Sequence, residues 1–310
     1  MKVFLGSTLI ISSFLLTGCI EEHNNNKLQA NHTLTESKIE RTQEPDVLSQ
    51  EFKDYWYASE AEITSYKLEQ ARYGEIRTGK AVLIYVTEDF LPNKQVKADH
   101  YSAENIPILK LNSTKNFNTG IYPYSIMQST FYPVSNNKHA VKVSSSMQEW
   151  CGHVYTQLNN KKVFEVTSHS YFENEADQNL KLDKAILENE LWTQLRINPK
   201  SLPTGDLQII PSFEYLRLRH VPIKAYHAIA TLTSNSYHIS FPDLNRTLII
   251  NYNANFPYNI LSWEETFKSG YGATAKTLKT KATRLKMVKS AYWSKNRNAD
   301  EVLRDTLKLQ

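Results

Sequence analysis

The chain has 310 residues, of which 36 are Lys or Arg and 32 are Asp or Glu, so its formal net charge is +4. A chain of this length can bury a sizeable core, either in one large domain or in two smaller ones. The near balance of charge gives no sign of a nucleic-acid partner. Two cysteines in the whole chain exclude a disulfide-rich scaffold.

The first 19 residues have the pattern of a bacterial lipoprotein leader. Lys2 is the only charge before Cys19, and residues 3–16 are almost wholly apolar or small. This apolar run is too short for a transmembrane helix, which needs roughly 20 residues. Leu16-Thr17-Gly18-Cys19 matches the lipobox, in which the cysteine sulfur receives a diacylglycerol before cleavage. We therefore predict a signal peptide over residues 1–18 and lipidation of Cys19. The alternative is an ordinary secretory leader with a chance cysteine.

The residues that follow indicate where the anchored protein resides. Ile20 stands where an aspartate would signal retention in the inner membrane, which favours the outer membrane, on its periplasmic face or at the cell surface. Glu21 and Glu22 are similar to surface-export signals, or they only begin a linker. Residues 19–46 are too polar to fold alone and predict a flexible tether. With Cys19 acylated, Cys151 has no partner for an internal disulfide.

Residues 47–310 are predicted to form a β-rich domain, either as one body or as two halves that meet near residues 180–205. In chain order the patterns predict a helix over 47–57, strands over 81–86, 106–111, 122–132, 140–158 and 163–171, and a central helix from Asp183 to Asn198. Strands follow over 207–210, 214–218, 225–232, 237–241, 247–252, 260–263 and 277–290, and a closing helix over 300–309. A helix is the alternative for 277–290, because four apolar residues there also have helical spacing.

This succession predicts a mainly β (α+β) fold, in which an antiparallel sheet forms an open barrel or β-clamp with one central helix and short terminal helices. Strands and helices do not alternate, which argues against a doubly wound nucleotide-binding fold. The strands are too irregular, and too often interrupted by helix and proline, for an outer-membrane barrel.

Four stretches carry a resemblance to a known family: YKLEQARYG (66–74), GIYPYSIMQST (120–130), QEWCGH (148–153) and SAYWSKN (290–296). Together they resemble a family of uncharacterised bacterial lipoproteins that carry the label "septum formation inhibitor Maf". The resemblance implies an envelope lipoprotein with no assigned activity. Maf pyrophosphatases have a Ser-x-Ser-x-Arg-Arg phosphate motif, and Ser144-Ser145-Ser146 is followed by no arginine pair. The stretch from the central helix through Leu-Pro-Thr-Gly (202–205) is also similar to a periplasmic β-clamp domain of unknown function, which implies a fold alone.

One group of residue types could carry chemistry. If residues 140–158 form a single strand, Glu149, Cys151, His153 and Tyr155 line one of its faces. The thiol and imidazole could then make a thiolate nucleophile, or a soft metal site. Side chains at this spacing lie near 7 Å apart, which is long for a hydrogen bond. A polar-lined cavity wall is the alternative that we prefer.

A basic run near the C-terminus is a second candidate. Residues 266–299 contain no acidic residue. The run includes Lys279, Lys281, Arg284, Lys286 and Lys289, which we predict to face anionic lipid headgroups. The alternative is a solvated strand face that acids elsewhere in the fold balance. The 18 tyrosines and five tryptophans suit a cavity or a glycan-facing surface, or ordinary packing within a sheet.

Other patterns predict little chemistry. Glu173, Glu175 and Asp177 alternate like the first ligands of a calcium loop, but Gln178 stands where that loop needs glycine. We interpret them as a solvated turn. Four histidines (His169, His220, His227 and His238) are scattered at no ligand spacing. No cofactor is expected.

Two functions remain open from the sequence. The first is a non-catalytic, membrane-anchored module that binds an apolar or amphiphilic ligand or docks an envelope protein. The alternative is a thiol-dependent or metal-dependent envelope enzyme that uses Glu149, Cys151 and His153.

Overall fold

A computed structural model describes residues 48–135 and 138–310. The predicted leader, Cys19 and the predicted tether over 19–46 therefore lie outside the described residues. Within the described residues, no helix is long and apolar enough to cross a membrane.

Sixteen strands of the described residues belong to one sheet. They are β1 (Ala61–Arg72), β2 (Glu75–Leu91), β3 (Val96–Lys97), β4 (Ile106–Thr119), β5 (Tyr122–Pro133), β6 (Lys142–Glu149), β7 (Gly152–Asn160), β8 (Phe164–Ser170), β9 (Gln178–Leu182), β10 (Ile186–Leu187), β11 (Gly205–Ile210), β12 (Tyr226–Leu232), β13 (Ser236–Phe241), β14 (Arg246–Tyr252), β15 (Ile260–Ser269) and β16 (Lys276–Ser290). The α-helices of the described residues are α1 (Gln50–Trp56), α2 (Glu188–Ile197), α3 (Phe213–Arg219) and α4 (Val302–Thr306).

The sheet is open and strongly curled. Its strand order is β10-β11-β12-β13-β14-β15-β16-β1-β2-β4-β5-β6-β7-β8-β9, with β3 paired to β2. The edge strands β9 and β10 are not paired with each other in the described part of the chain. Only residues 183–185 separate them in sequence, so the two edges lie within about 14 Å of each other at this point. A sheet this wide can bring its edges so close only by curling round.

Between β9 and β10 the chain passes from one edge of the sheet to the other. This passage lies in the region 180–205, where the sequence predicts that two halves could meet. Strands β1–β9 form one half of the order and β10–β16 form the other. Antiparallel pairing of β16 with β1 joins them, with Ala61 opposite Ser290 and Glu69 opposite Lys281. Both halves are therefore parts of one sheet.

Alternation of strand direction gives the curled sheet two distinct ends. Each pair in the order is antiparallel except β10–β11. The tips of the β1–β2, β4–β5, β6–β7, β8–β9 and β15–β16 hairpins therefore lie at the same end of the sheet. We call these five tips the hairpin rim. The chain enters β1 from the opposite end.

Helices fill the space that the sheet encloses. At the end opposite the rim, the Trp56 ring of α1 lies 6.0 Å from that of Tyr85. In α2, the Trp192 carbonyl accepts a hydrogen bond from the Tyr85 hydroxyl at 3.1 Å. At the rim end, the carbonyl of Leu218 in α3 accepts a hydrogen bond from Arg72 Nη1 at 2.7 Å. The inward faces of the strands and these helices share one large apolar core.

The C-terminal residues cover part of the outer face instead. Leu307 packs with Ala61, Ile63 and Val86 in a second, smaller apolar cluster. These three strand residues point away from the main core because side chains alternate between the faces of a strand.

The fold class predicted from the sequence is confirmed: the chain is mainly β, with an antiparallel, open sheet and short helices near both ends of the described residues. Several elements differ. Residues 214–218 are in helix α3, not a strand, so α3 packs inside the sheet in addition to α1 and the central helix α2. The central helix begins at Glu188, with Asp183 outside it. The helical alternative for 277–290 is wrong, because β16 pairs with both β1 and β15.

Candidate functional site

The residues predicted to form a thiol or metal site do not share one strand. The predicted strand over 140–158 is two strands, β6 and β7, with Trp150 and Cys151 in the turn between them. Glu149 is the last residue of β6 and lies opposite Gly152. The prediction of one continuous face through Glu149, Cys151 and His153 is therefore wrong.

Cys151 has the electrostatic environment of an unreactive thiol. Its side chain is exposed, and its backbone N–H donates to Glu149 Oε2 at 2.9 Å. The hydrogen bond and negative charge of Glu149 raise the pKa of the Cys151 thiol, whereas a nucleophilic cysteine needs a cationic neighbour that lowers it. His153 and Tyr155 are exposed on β7, and the Tyr155 hydroxyl donates to Gln157 Oε1 at 2.8 Å.

The basic run lies along β16, where acidic partners neutralise part of it. Lys279 forms an ion pair with Glu264 at 2.6 Å, and Lys281 lies 3.9 Å from the same carboxylate. Lys289 donates to the Tyr55 carbonyl at 2.7 Å. For Arg284 and Lys286, no side-chain ion pair occurs among the described residues. Glu264 thus balances Lys279 and Lys281 of this run.

Charged side chains from three strands and from helices α2 and α3 meet inside the sheet. Arg246 donates from Nη2 to Glu188 at 2.7 Å and from Nε to Glu265 at 2.6 Å. Lys115 donates to Glu214 at 2.6 Å. Burial raises the pKa of Glu265, so this carboxyl holds its proton more readily than an exposed one. These groups line a small cavity of about 40 Å³, which has room for a few waters and for no larger ligand.

A larger cleft opens beside α3, near the rim end of the sheet. Its volume is about 170 Å³. One wall comes from β7 and β8, including Val154, Thr156 and Ser168. The other comes from α3 and the residues after it, including Phe213 and Ile223. The cleft therefore combines an apolar wall with hydroxyl groups.

Local sequence fixes the position of α3 at this cleft. The side chain of Ser212 caps the helix by accepting from the backbone N–H of Tyr215 at 3.3 Å. His220 ends it in the left-handed conformation, with φ 53°. The seven-residue helix turns Arg217 towards the β8–β9 loop, which contributes Glu175.

Arg217 is the polar centre of the cleft. It is 9 % exposed, and its guanidinium carbon lies 4.1 Å from the centre of the Phe172 ring. Nη1 donates to Glu175 Oε1 at 3.1 Å, and His220 Nδ1 lies 2.8 Å from the same oxygen. Nε is buried without a hydrogen-bond partner, and Nη2 also has none among the described residues. Arg217 thus keeps the N–H groups of Nη2 unused beside an apolar wall, while its Nε lies enclosed by the protein.

Glu175 is already engaged and leaves those donors free. Its Oε2 accepts from Ser170 Oγ at 2.7 Å. Burial raises the pKa of Glu175, but the hydrogen bonds from His220 and Ser170 and the charge of Arg217 outweigh it, and the net pKa is lowered. The carboxylate is therefore ionised at neutral pH, and its two oxygens are occupied.

The sequence did not reveal this cluster. From the sequence, Glu175 is expected in a solvated turn, His220 as a single histidine and Arg217 in a strand. The three residues come together only when the open edge of the sheet meets α3, and no local pattern encodes that meeting. No group of three or more His, Cys, Asp or Glu residues among those described is arranged to hold a metal ion.

Comparisons with known proteins include a similarity in structure. No protein-family model matches the chain, and no curated protein matches it. A β-barrel-like protein of a domain of unknown function, DUF1849, from Brucella abortus is similar in structure at a TM-score of 0.44 and 7 % identity. The similarity covers 74 % of this chain and 97 % of that one.

Proposed function

We propose that this chain is a lipid-anchored envelope protein whose β body binds a small amphiphilic anion in the cleft beside α3. The observation that carries the proposal is Arg217, a buried guanidinium with unused donors next to an apolar wall. A buried polar group without a partner costs free energy. A ligand in the cleft would supply an acceptor to Nη2 and give the guanidinium a further partner.

The size of the cleft limits the ligand. An engineered cavity of about 150 Å³ takes a benzene-sized molecule, and the cleft has about 170 Å³. It suits a carboxylate or phosphate group with a short apolar portion, and it is too small for a whole phospholipid. Arginine binds both kinds of anion through parallel N–H donors.

The anchoring part of the proposal rests on the lipobox at residues 16–19 and on the resemblance to envelope lipoproteins. Acylation of Cys19 would place the body at the outer membrane, on its periplasmic face or at the cell surface. Two or three fatty chains on one cysteine hold a protein to a bilayer, since each buried methylene contributes about 0.8 kcal/mol. The body then samples amphiphiles near that surface.

Titration with sodium octanoate tests the cleft. The probe combines a carboxylate with a short acyl chain, and isothermal calorimetry measures its Kd. In Arg217→Met the donors are lost while the packing on Phe172 is kept, and we expect the Kd to rise about tenfold or more, because hydrogen bonds to a charged group contribute about 1.5–3 kcal/mol.

Arg219→Met is the matched control, since Arg219 lies on the same helix but not in the wall of the cleft. It should bind octanoate as the wild type does. Equal affinities of the wild type and Arg217→Met, or no octanoate binding by the wild type, would contradict the assignment of this cleft.

A further inference from the structure

Each tip of the hairpin rim carries an exposed, large apolar side chain. Their exposed fractions are 38 % for Tyr73, 85 % for Ile121, 68 % for Trp150, 79 % for Tyr171 and 58 % for Tyr271. Single exposed apolar residues are normal on a protein surface, whereas a contiguous set marks an interaction site. Whether these five are contiguous therefore decides what they mean.

Contacts connect three of the tips on one side of the rim. The N–H of Gly74 in the β1–β2 tip donates to Ser269 Oγ, at the end of β15, at 3.1 Å. Tyr73 in the same tip has its hydroxyl 2.9 Å from that of Tyr124, in β5. The β15–β16, β1–β2 and β4–β5 tips are thus in contact in that order.

Contacts continue through the other two tips. The rings of Tyr122 and Trp150 stack with their centres 6.3 Å apart, which joins the β4–β5 tip to the β6–β7 tip. Gly152 lies against Tyr171 in the β8–β9 tip, since a Cβ on this glycine would be 3.0 Å from the tyrosine ring. The five tips form one continuous arc.

The opposite end of the sheet differs. Exposed apolar side chains there include Tyr57, Val96, Tyr101 and Trp293. In the described part of the chain, none of the three rings among them contacts another of these rings. Tyr57 packs on Phe52 and Trp293 on Tyr292 instead, with ring centres 6.4 Å and 5.5 Å apart.

Basic residues flank the arc at the β15–β16 tip. Lys268 and Lys276 are exposed on either side of Tyr271. Neither forms an ion pair with any described residue. Their ammonium groups remain free to meet phosphate, in contrast to Lys279 and Lys281, which share Glu264.

We infer that the hairpin rim is a membrane-contact surface that lies at the headgroup level of a bilayer. Tyrosine and tryptophan concentrate at membrane–water interfaces, because an apolar ring and a polar edge suit that boundary. Free lysines beside them suit anionic headgroups. The inference rests on the proposed envelope location and adds the surface by which the body meets the membrane.

The number of residues between Cys19 and the first described residue permits the rim to face the bilayer. Residues 20–47 comprise 28 residues, which can span at most about 100 Å. A twelve-residue strand such as β1 is about 40 Å long. An anchor at Cys19 therefore does not oblige the end that carries α1 to face the bilayer.

Flotation with vesicles of phosphatidylethanolamine and phosphatidylglycerol tests the rim. The protein is the mature chain with Cys19→Ser, so that no acyl chain contributes. We expect it to float with the vesicles. The triple variant Ile121→Ser, Trp150→Ser, Tyr171→Ser should bind them at least about tenfold more weakly. The control variant Tyr101→Ser, Trp293→Ser changes two exposed rings at the other end and should float as before.

If the triple variant does not fold, the single variant Trp150→Ser replaces it in the experiment and should also bind the vesicles more weakly than the wild type. The inference is overturned if the mature chain does not float, if the rim variants float like the wild type, or if the control loses binding equally. A protein partner rather than a bilayer at the rim would give the first of these results. Octanoate affinity and acylation of Cys19 are measured separately, so a failure of the proposed function is distinguishable from a failure of the rim.

Discussion

Glu62 and Arg196 show how this protein keeps charges inside a curled sheet. Both are 1 % exposed, and they are joined at two points, Nη1 to Oε1 at 2.8 Å and Nη2 to Oε2 at 2.7 Å. Asn259 donates to Oε2 at 3.1 Å. Burial alone would raise the pKa of Glu62, but the charge of Arg196 outweighs it and the net pKa is lowered. The ion pair links α2 to β1.

Glu62→Gln should therefore destabilise the protein strongly. The change leaves the Arg196 charge buried without its counter-ion, which costs about 3–5 kcal/mol of unfolding free energy. Urea denaturation followed by circular dichroism measures it. Glu69→Gln, in an exposed pair with Lys67 at 3.7 Å on the same strand, is the control and should leave the midpoint unchanged. A loss below about 1 kcal/mol for Glu62→Gln would contradict the role of the pair.

The environment of Cys151 predicts its reactivity. Glu149 raises the pKa of the thiol, so the thiolate that reacts with alkylating agents is less populated than in a free cysteine. Glu149→Gln removes that charge, and we expect faster alkylation by iodoacetamide at pH 7.5. Gln148→Glu, on the neighbouring exposed residue, is a control that should not accelerate it. Slower or equal alkylation of Glu149→Gln would show that Glu149 does not set this pKa.

At the scale of the element, the β2–β4 pair depends on one glycine. Gly79 lies opposite Phe117, and a Cβ there would overlap the backbone carbonyl of Asn116 and lie 2.7 Å from Phe117 Cβ. Backbone cannot move aside as a flexible side chain does. The absence of a side chain at Gly79 is therefore a condition for the close approach of these two long strands.

Gly79→Ala should cost about 1–3 kcal/mol of unfolding free energy, as overpacking does in other cores. Thermal unfolding measures the shift. Thr78→Ala, at the adjacent exposed position, is the comparison and should change the midpoint little. A Gly79→Ala variant as stable as the wild type would show that β2 and β4 separate at no cost.

The elements also show what sequence patterns can and cannot predict. The sequence predicts the strand over 81–86 from a continuous apolar run, and the strand over 122–132 from an alternating pattern between turn residues. Residues 214–218 are rich in tyrosine and leucine, as a strand can be, yet they form α3, since Ser212 caps the helix and the core buries residues 213–218.

The missed turn at Trp150 and Cys151 had a detectable signal. Inward residues are odd-numbered in β6, such as Val143 and Met147, and even-numbered in β7, such as Val154 and Leu158. A change of phase in an alternating pattern marks a turn or a bulge. The cleft gave no such signal, because Arg217 and Glu175 are distant in sequence and meet only in the folded chain.

At the scale of the whole molecule, the filled interior of the sheet explains why the candidate site is at the end of the sheet and not at its centre. Helices α1, α2 and α3 fill the interior, and the space left among the buried ion pairs is about 40 Å³. An acyl chain does not fit there. The cleft beside α3 opens near the same end as the hairpin rim, so a body resting on a bilayer by that rim would hold the cleft close to the membrane surface.

Intact-mass spectrometry of the protein purified from its native host, with membrane and soluble fractions collected separately, tests the proposed anchoring most directly. The account predicts a chain in the membrane fraction that begins at Cys19 and carries fatty acyl groups, and a Cys19→Ser variant without them. An unmodified chain of all 310 residues, recovered from the soluble fraction, would contradict it.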